Sequence, residues 1–261
     1  MKKIILFIAV CLFPFCVYAL SGSALDSRAK ALSSLHSGTK EQLVSALTQG
    51  LTTDADKARV IASWIAYQVD RNGYEYDKLI KASNDNTLAE SPLLNDVFQT
   101  RIGTPYEFAQ LYAELASLAG LEAVVIEGYA GHNIPSSRYS GKLMKALEPT
   151  INRVRGGNYR LQRYRGAWNA VKINGEWKLL DTYWMVKGEK MFGRGGSERD
   201  LVREMQKRMR NIPSASKLSR GKTIDDDYFF AKPRDFIKTH FPYEDKWQLL
   251  PTPKTWSSFT N

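Results

Sequence analysis

Residues 166–184 read GAWNAVKINGEWKLLDTYW, and this stretch decides the fold. Apolar and polar residues alternate over residues 164–173, which predicts a β-strand. Asn174-Gly175 is typical of a two-residue hairpin turn, because both residue types tolerate a positive φ. Residues 176–182 then return as the next strand. The stretch therefore predicts an antiparallel β-hairpin.

A helix and a further strand come before this hairpin. Apolar residues at helical spacing over residues 104–120 predict a helix with one core-facing stripe, and Gly120 is expected to end it. The stripe consists of Phe108, Leu111, Tyr112, Leu115 and Leu118. Residues 121–129, LEAVVIEGY, are rich in Val and Ile and predict a buried strand.

The start of this helix carries its own signals. Thr104 is a suitable N-cap, Pro105 suits the first helical position because it lacks an N–H, and Glu107 completes a capping box. A second amphipathic helix is predicted from Thr53, and Asn72-Gly73 is expected to end it. The order helix, strand, hairpin predicts an α+β domain with helices on one side of an antiparallel sheet.

The segment before the hairpin, residues 101–131, reads RIGTPYEFAQLYAELASLAGLEAVVIEGYAG. Together with residues 166–184 it resembles the transglutaminase-like superfamily. The flanking residues 54–77 and 233–250 resemble the bacterial and kyphoscoliosis-peptidase branch of that superfamily. The resemblance covers most of residues 43–250. It implies an α+β, papain-like core whose central helix packs on an antiparallel sheet, with extra N-terminal helices and a basic helical insert.

The resemblance also implies a papain-like mechanism. In active members of that family, a cysteine begins the central helix and a histidine opens the first hairpin strand. An aspartate at the end of the second hairpin strand orients the imidazole. Position by position, Pro105 stands for the cysteine and Gly166 for the histidine, and only Asp181 matches the family. The sequence therefore predicts that thiol chemistry is absent. Asp181 is expected to accept hydrogen bonds from Trp168 or Tyr183, or to pair with an arginine.

A relocated, non-cysteine active site is the alternative. Thr104 carries a hydroxyl beside Pro105, and His132 follows the strand predicted over residues 121–129, so these two and Asp181 are its first candidates. His132 is more simply a loop histidine. His240 matches a family position outside the catalytic triad, where packing or capping is its expected role. No metal- or phosphate-binding motif is present, so neither a metal nor a cofactor is predicted.

The first 19 residues are typical of a signal peptide. A basic Lys2-Lys3 pair precedes an apolar run over residues 4–17 and a small-x-small cleavage site that ends at Ala19. Cys11 and Cys16, the only cysteines, lie inside this segment, so the mature chain is expected to have neither disulfides nor zinc thiolates. An uncleaved membrane anchor is the alternative, although the run is shorter than the ~20 residues that a bilayer needs. The protein is predicted to be exported, periplasmic or secreted, with no transmembrane helix once the signal is removed.

The net charge of +10 is unevenly spread along the chain. Residues 153–220 hold 17 Lys and Arg against 6 Asp and Glu, which in an exported protein indicates an anionic polymer, anionic lipid headgroups or an acidic partner rather than nucleic acid. A solvated surface is an equal alternative. Five arginines could line one rim of the cleft: Arg153, Arg155, Arg160, Arg163 and Arg165. Three aromatic residues are first of all core residues that could also stack on a bound peptide or sugar: Trp168, Tyr183 and Trp184.

Five segments are predicted. Residues 1–19 are the signal peptide, 20–52 an N-terminal helical segment, 53–187 the transglutaminase-like core, 188–222 the basic insert with a helix over residues 197–210, and 223–261 the closing segment of the same domain.

The favoured function is that of an exported pseudoenzyme, a binding or accessory module for an envelope protein, a peptide or an acidic polymer. The runner-up is an amide hydrolase or transferase with a relocated site. A third reading is a structural role through the insert helix. Its stripe of Leu201, Met205 and Met209 could dock on a partner or, more simply, on its own domain.

Overall fold

A computed structural model describes residues 21–32, 38–72, 96–132, 164–188 and 197–260 of the chain. The predicted signal peptide lies outside these ranges. The predicted central helix and hairpin lie within them.

Three helices come first: α1 (Gly22–Ala31), α2 (Lys40–Thr48) and α3 (Asp54–Gln68). Each begins at a Ser or Thr N-cap whose side chain accepts a backbone N–H. Helix α3 is buried along most of its length.

The end of α3 differs from the prediction. The helix stops at Gln68, and the chain continues as β1 (Asp70–Arg71), which pairs in parallel with β2 (Ile102–Gly103). The backbone N–H groups of Asp70 and Asn72 donate to carbonyls beside and within β2 at 2.8 Å. Asn72-Gly73 was therefore the wrong stop signal, because strand pairing with a distant segment ends the helix earlier.

The central helix is confirmed. After a short helix, α4 (Val97–Thr100), and β2, helix α5 (Pro105–Leu118) begins at the predicted proline with the predicted capping box. Four members of its predicted stripe are buried, but Leu118 is 44 % exposed. It is the last residue of the helix.

The main sheet has five strands, all antiparallel to their neighbours, in the order β8-β5-β4-β3-β9. The strands are β3 (Ala123–Ala130), β4 (Arg165–Ile173), β5 (Glu176–Leu180), β8 (Phe229–Ala231) and β9 (His240–Pro242). Asn174 and Gly175 join β4 to β5 with φ of 51° and 84°, as the hairpin prediction requires. A separate two-stranded ladder joins β6 (Val186–Lys187) to β7 (Thr223–Ile224).

The two faces of the sheet belong to different cores. Val171, Ile173 and Leu180 pack with the helices, including α3 and α5. Trp168 and Phe236 pack on the opposite face beneath the closing segment. The α+β prediction is confirmed, and the closing segment gives the sheet a second covered face.

The insert helix, α6 (Glu198–Arg210), docks on its own domain. Leu201 and Met205 are buried, but Met209 is 44 % exposed, so the predicted stripe was wrong at its third position. Arg208 takes the buried place and pairs with Asp70 of β1, from Nη2 to Oδ2, at 2.9 Å. The face of α6 that packs on the domain therefore ends in an ion pair rather than in an apolar contact.

Short helices complete the described chain: α7 (Ala215–Leu218), α8 (Pro233–Phe236) and α9 (Trp256–Phe259), with 3-10 turns at Asp226–Tyr228 and Asp245–Gln248. None of the helices in the described ranges has the length and apolar character that crossing a bilayer requires.

Candidate functional site

The first turn of α5 occupies the place where the resemblance puts a nucleophile. Pro105 is the first helical residue and is half-buried. The Thr104 hydroxyl lies 2.9 Å from the Glu107 carboxylate, and the Thr104 backbone N–H donates to the same oxygen at 2.8 Å. The Glu107 N–H donates back to the Thr104 hydroxyl at 3.4 Å. The Thr104 hydroxyl is therefore part of the cap, and its hydrogen-bonding partner is a carboxylate.

Burial changes the acidity of this cap. Desolvation raises the pKa of Glu107 to about 7, although the hydrogen bonds from Thr104 act in the opposite direction. The helix thus begins with a carboxyl group that titrates near neutral pH.

Gly166, at the place that the resemblance gives to the histidine, has no room for a side chain. It pairs with Gly128 of β3, and a Cβ added to Gly166 would lie 2.8 Å from the Ala130 Cβ. Ordinary Cβ contacts are about 3.4–4 Å. A side chain here would therefore require β3 and β4 to move apart.

Asp181 follows β5 and is buried. Its Oδ1 accepts the backbone N–H groups of Tyr183 at 2.7 Å and Trp184 at 3.0 Å. The prediction that Asp181 accepts a hydrogen bond from Tyr183 is met through the backbone of that residue. The indole N–H of Trp168, the other predicted donor, has no hydrogen-bond partner among the described residues.

The second carboxylate oxygen of Asp181 has a partner that the sequence analysis missed. Asp181 Oδ2 lies 3.0 Å from His240 Nε2, and both side chains are buried, at 2 % and 0 % exposure. The expected role of His240, packing or capping, was therefore incomplete. His240 is on β9 opposite Ala130, so it reaches the same face of the sheet as Gly166 from the other side of β3.

The other ring nitrogen of His240 is also engaged. Its Nδ1 lies 2.7 Å from the hydroxyl of Thr239. An ionised carboxylate only accepts hydrogen bonds, so Nε2–H donates to Asp181. In a neutral imidazole Nδ1 is then an acceptor for the Thr239 hydroxyl, which also lies 3.4 Å from the Phe236 carbonyl oxygen as a donor. The order hydroxyl, imidazole, carboxylate is that of a hydrolase triad, although the imidazole is closed off from solvent.

Aromatic rings enclose this imidazole. Phe236 stacks on it with centroids 4.0 Å apart, and Trp168 and Trp184 meet it edge-on at 5.0 and 5.1 Å. Trp168, one of the three aromatic residues predicted to stack on a ligand, is itself buried and has no exposed ring face for that role.

Tyr183 is tied to the helix start instead. Its ring meets Phe108 of α5 edge-on at 5.1 Å, and the guanidinium of Arg71 lies 4.6 Å from its centroid. Tyr183 therefore connects the turn after Asp181 to the first turns of α5, which places these two parts of the site side by side.

The remaining predicted residues lie apart or outside the described chain. His132 is exposed and its ring is 5.3 Å from that of Trp184, and no hydrogen bond within the described ranges joins it to Thr104. Arg165 is exposed at the start of β4. Arg153, Arg155, Arg160 and Arg163 lie outside the described residues.

No group of three or more His, Cys, Asp or Glu side chains in the described part of the chain is arranged to hold a metal ion.

A family model for the transglutaminase-like superfamily matches residues 41–182, more than half of the chain. The chain belongs to the transglutaminase-like superfamily. The match runs from α2 through the hairpin to the residue after Asp181, so it contains the helix start and the aspartate described above.

Three relatives show how the chain compares with longer proteins. It is 31 % identical over 231 residues to Hillarin of Drosophila melanogaster, covering 85 % of this chain and 22 % of that protein. It is 26 % identical over 224 residues to the kyphoscoliosis peptidase of Homo sapiens, with coverages of 85 % and 26 %. It is 28 % identical over 211 residues to the Lim and transglutaminase domain protein ltd-1 of Caenorhabditis elegans, with coverages of 81 % and 23 %. The chain thus spans about a quarter of the length of these relatives.

Proposed function

We propose that this transglutaminase-like chain no longer performs thiol-dependent acyl transfer. The observation that carries the proposal is the start of α5, where Pro105 and a complete capping box stand in place of a reactive side chain. A proline has no thiol to activate, and the neighbouring hydroxyl of Thr104 is held by Glu107.

The surroundings of Asp181 support the same proposal. The crowding at Gly166 argues against an imidazole at that position, and both carboxylate oxygens of Asp181 already have partners. A carboxylate that orients a catalytic histidine in the active family here holds a buried histidine from a different strand. Its role in this chain is to stabilise the fold.

We further propose that the protein is exported and acts as a binding or accessory module for an envelope protein, a peptide or an acidic polymer. The apolar run of residues 4–17 supports export, and the excess of Lys and Arg over residues 153–220 supports an acidic partner.

Retention on cell-envelope fractions tests this binding role. Replacing the five rim arginines (Arg153, Arg155, Arg160, Arg163 and Arg165) by Ala should release the protein from the fraction at low salt. A control variant removes the same charge from exposed cations outside residues 153–220: Lys30, Lys232, Arg234, Lys238 and Lys246. Equal release of both variants would mean that only net charge matters and would overturn a specific basic rim.

A relocated active site is the second candidate function, and one observation favours it. Thr239, His240 and Asp181 are linked in the order hydroxyl, imidazole, carboxylate of a catalytic triad, and Thr239 is half-buried rather than fully buried. Attack by its oxygen on an amide carbonyl would pass the hydroxyl proton to Nδ1 and then to the departing amine, leaving an ester that water hydrolyses.

The Thr239 side chain can be tested directly. Amide turnover by the wild type that survives Thr239→Ser and is lost in Thr239→Val would establish this second function. Turnover that is unchanged in Thr239→Val, or absent from the wild type, would exclude it. In the same assay, Thr104→Val and His132→Ala test the relocated site predicted from the sequence, because loss of turnover in either variant would support that site.

A further inference from the structure

A cavity of about 410 Å³ lies between the insert and the core, away from Asp181. Helix α6, the α7 segment and β1 contribute its walls. Its volume is within the range of pockets that hold small molecules.

The floor of this cavity is an ion-pair cluster. Asp70 binds Arg208 at 2.9 Å and Lys222 at 2.8 Å, and Glu204 lies 3.2 Å from Arg208. Arg208 and Lys222 are buried at 3 % exposure each. Two carboxylates and two cations balance, so the floor is close to neutral.

The rim of the cavity is basic. Lys207, Lys217 and Arg220 line it and are exposed. Lys207 has a loose contact with Glu204 at 3.7 Å, and neither Lys217 nor Arg220 forms an ion pair with any residue in the described ranges. The cavity therefore combines a neutral floor with a concentrated positive charge at its mouth.

We propose that this cavity binds a small ligand, or a lipid headgroup, through a terminal phosphate group. This ligand class goes beyond the proposed binding role, which names an envelope protein, a peptide or an acidic polymer. A phosphate monoester carries about −1.5 to −2 charges at neutral pH on one compact group, which matches several cations around one opening better than a single carboxylate does. Arg220 can bind two phosphate oxygens at once, and the lysines add point charges.

The binding of inorganic pyrophosphate to the full chain, measured by calorimetry, tests the proposal. We expect saturable binding that weakens as salt is raised, and a loss of about tenfold in affinity in the Lys217→Gln/Arg220→Gln variant. The matched control is Arg199→Gln/Arg203→Gln, which removes the same charge from exposed positions of the same insert, on helix α6 outside the cavity. The control should bind as the wild type does.

Further arms of the experiment identify the anion and its source. Citrate, a carboxylate probe, should bind more weakly than pyrophosphate, and equal binding would overturn the phosphate assignment. Co-sedimentation with vesicles of phosphatidylcholine and phosphatidic acid, reversed by pyrophosphate, would assign the phosphate to a headgroup. Pyrophosphate binding without co-sedimentation would assign it to a free ligand.

Failure of the wild type to bind pyrophosphate, or equal losses in the variant and its control, would overturn this inference. Neither result would bear on the loss of thiol chemistry, which amide turnover tests separately.

Discussion

At the scale of single residues, Asp181 accepts three hydrogen bonds in a buried setting, two from backbone N–H groups and one from His240. Asp181→Ala would leave these donors without a partner, and we expect it to lower the free energy of unfolding by about 3–5 kcal/mol. Asp181→Asn should cost less, because the amide oxygen still accepts from the backbone and its NH2 can donate to Nε2 of His240. Urea unfolding measures both values.

The control for this prediction is His132→Ala, an exposed histidine near the same aromatic cluster. It should change stability by less than about 0.5 kcal/mol. A loss below about 1 kcal/mol for Asp181→Ala would contradict the structural role that we assign to the pair.

Gly166 gives a second prediction at this scale. Gly166→Ala should destabilise the protein by about 1–3 kcal/mol, since the new Cβ would lie 2.8 Å from that of Ala130. Ala130→Gly removes the opposing atom. A double-mutant cycle should therefore show favourable coupling between the two substitutions. Additive losses would mean that the close approach at Gly166 does not limit the side chain there.

At the scale of elements, the α5 start has a pH dependence. The pKa of Glu107 is about 7 in the folded protein and near 4.5 when unfolded, so the folded state binds the proton more tightly. The stabilising contribution of the protonated Glu107 side chain is fully present below about pH 4.5 and is lost as the pH rises through 7, which lowers the free energy of unfolding by about 3 kcal/mol. Glu107→Gln keeps a capping side chain and should flatten this slope.

Urea unfolding at about pH 4.5 and about pH 8 tests the slope. Glu114→Gln, at a 57 % exposed side chain of the same helix, is the matched control and should leave the pH dependence as it is in the wild type. Equal slopes in Glu107→Gln and the wild type would show that another group carries the pH dependence.

The elements also show what local sequence can predict. Caps, apolar stripes and the Asn-Gly turn identified α5 and the β4–β5 hairpin, because these signals lie within the segments that they shape. The predicted end of α3 was wrong because the observed end depends on the pairing of β1 with β2, about thirty positions along the chain. The predicted burial of Met209 was wrong because Asp70, on a distant strand, pairs with the neighbouring Arg208 and holds it in the interface.

At the scale of the whole molecule, the superfamily and the α+β fold could be predicted, whereas the partner of Asp181 could not. His240 and Asp181 are 59 positions apart, and they meet only because β9 joins the sheet beside β3. The available signal was an aspartate, at the place that the resemblance gives to the triad carboxylate, in a chain with 3 histidines, one of them in a Thr-His-Phe-Pro segment.

The most direct test of the central claim is amide turnover by the purified full chain. The substrates are a glutamine-containing peptide offered with a primary amine, and the same peptide alone. Ammonia release, amine incorporation and peptide cleavage are the three readouts. We predict rates equal to those of buffer, unchanged by Asp181→Asn and by alkylation with iodoacetamide. Turnover by the wild type that Asp181→Asn abolishes would contradict the account.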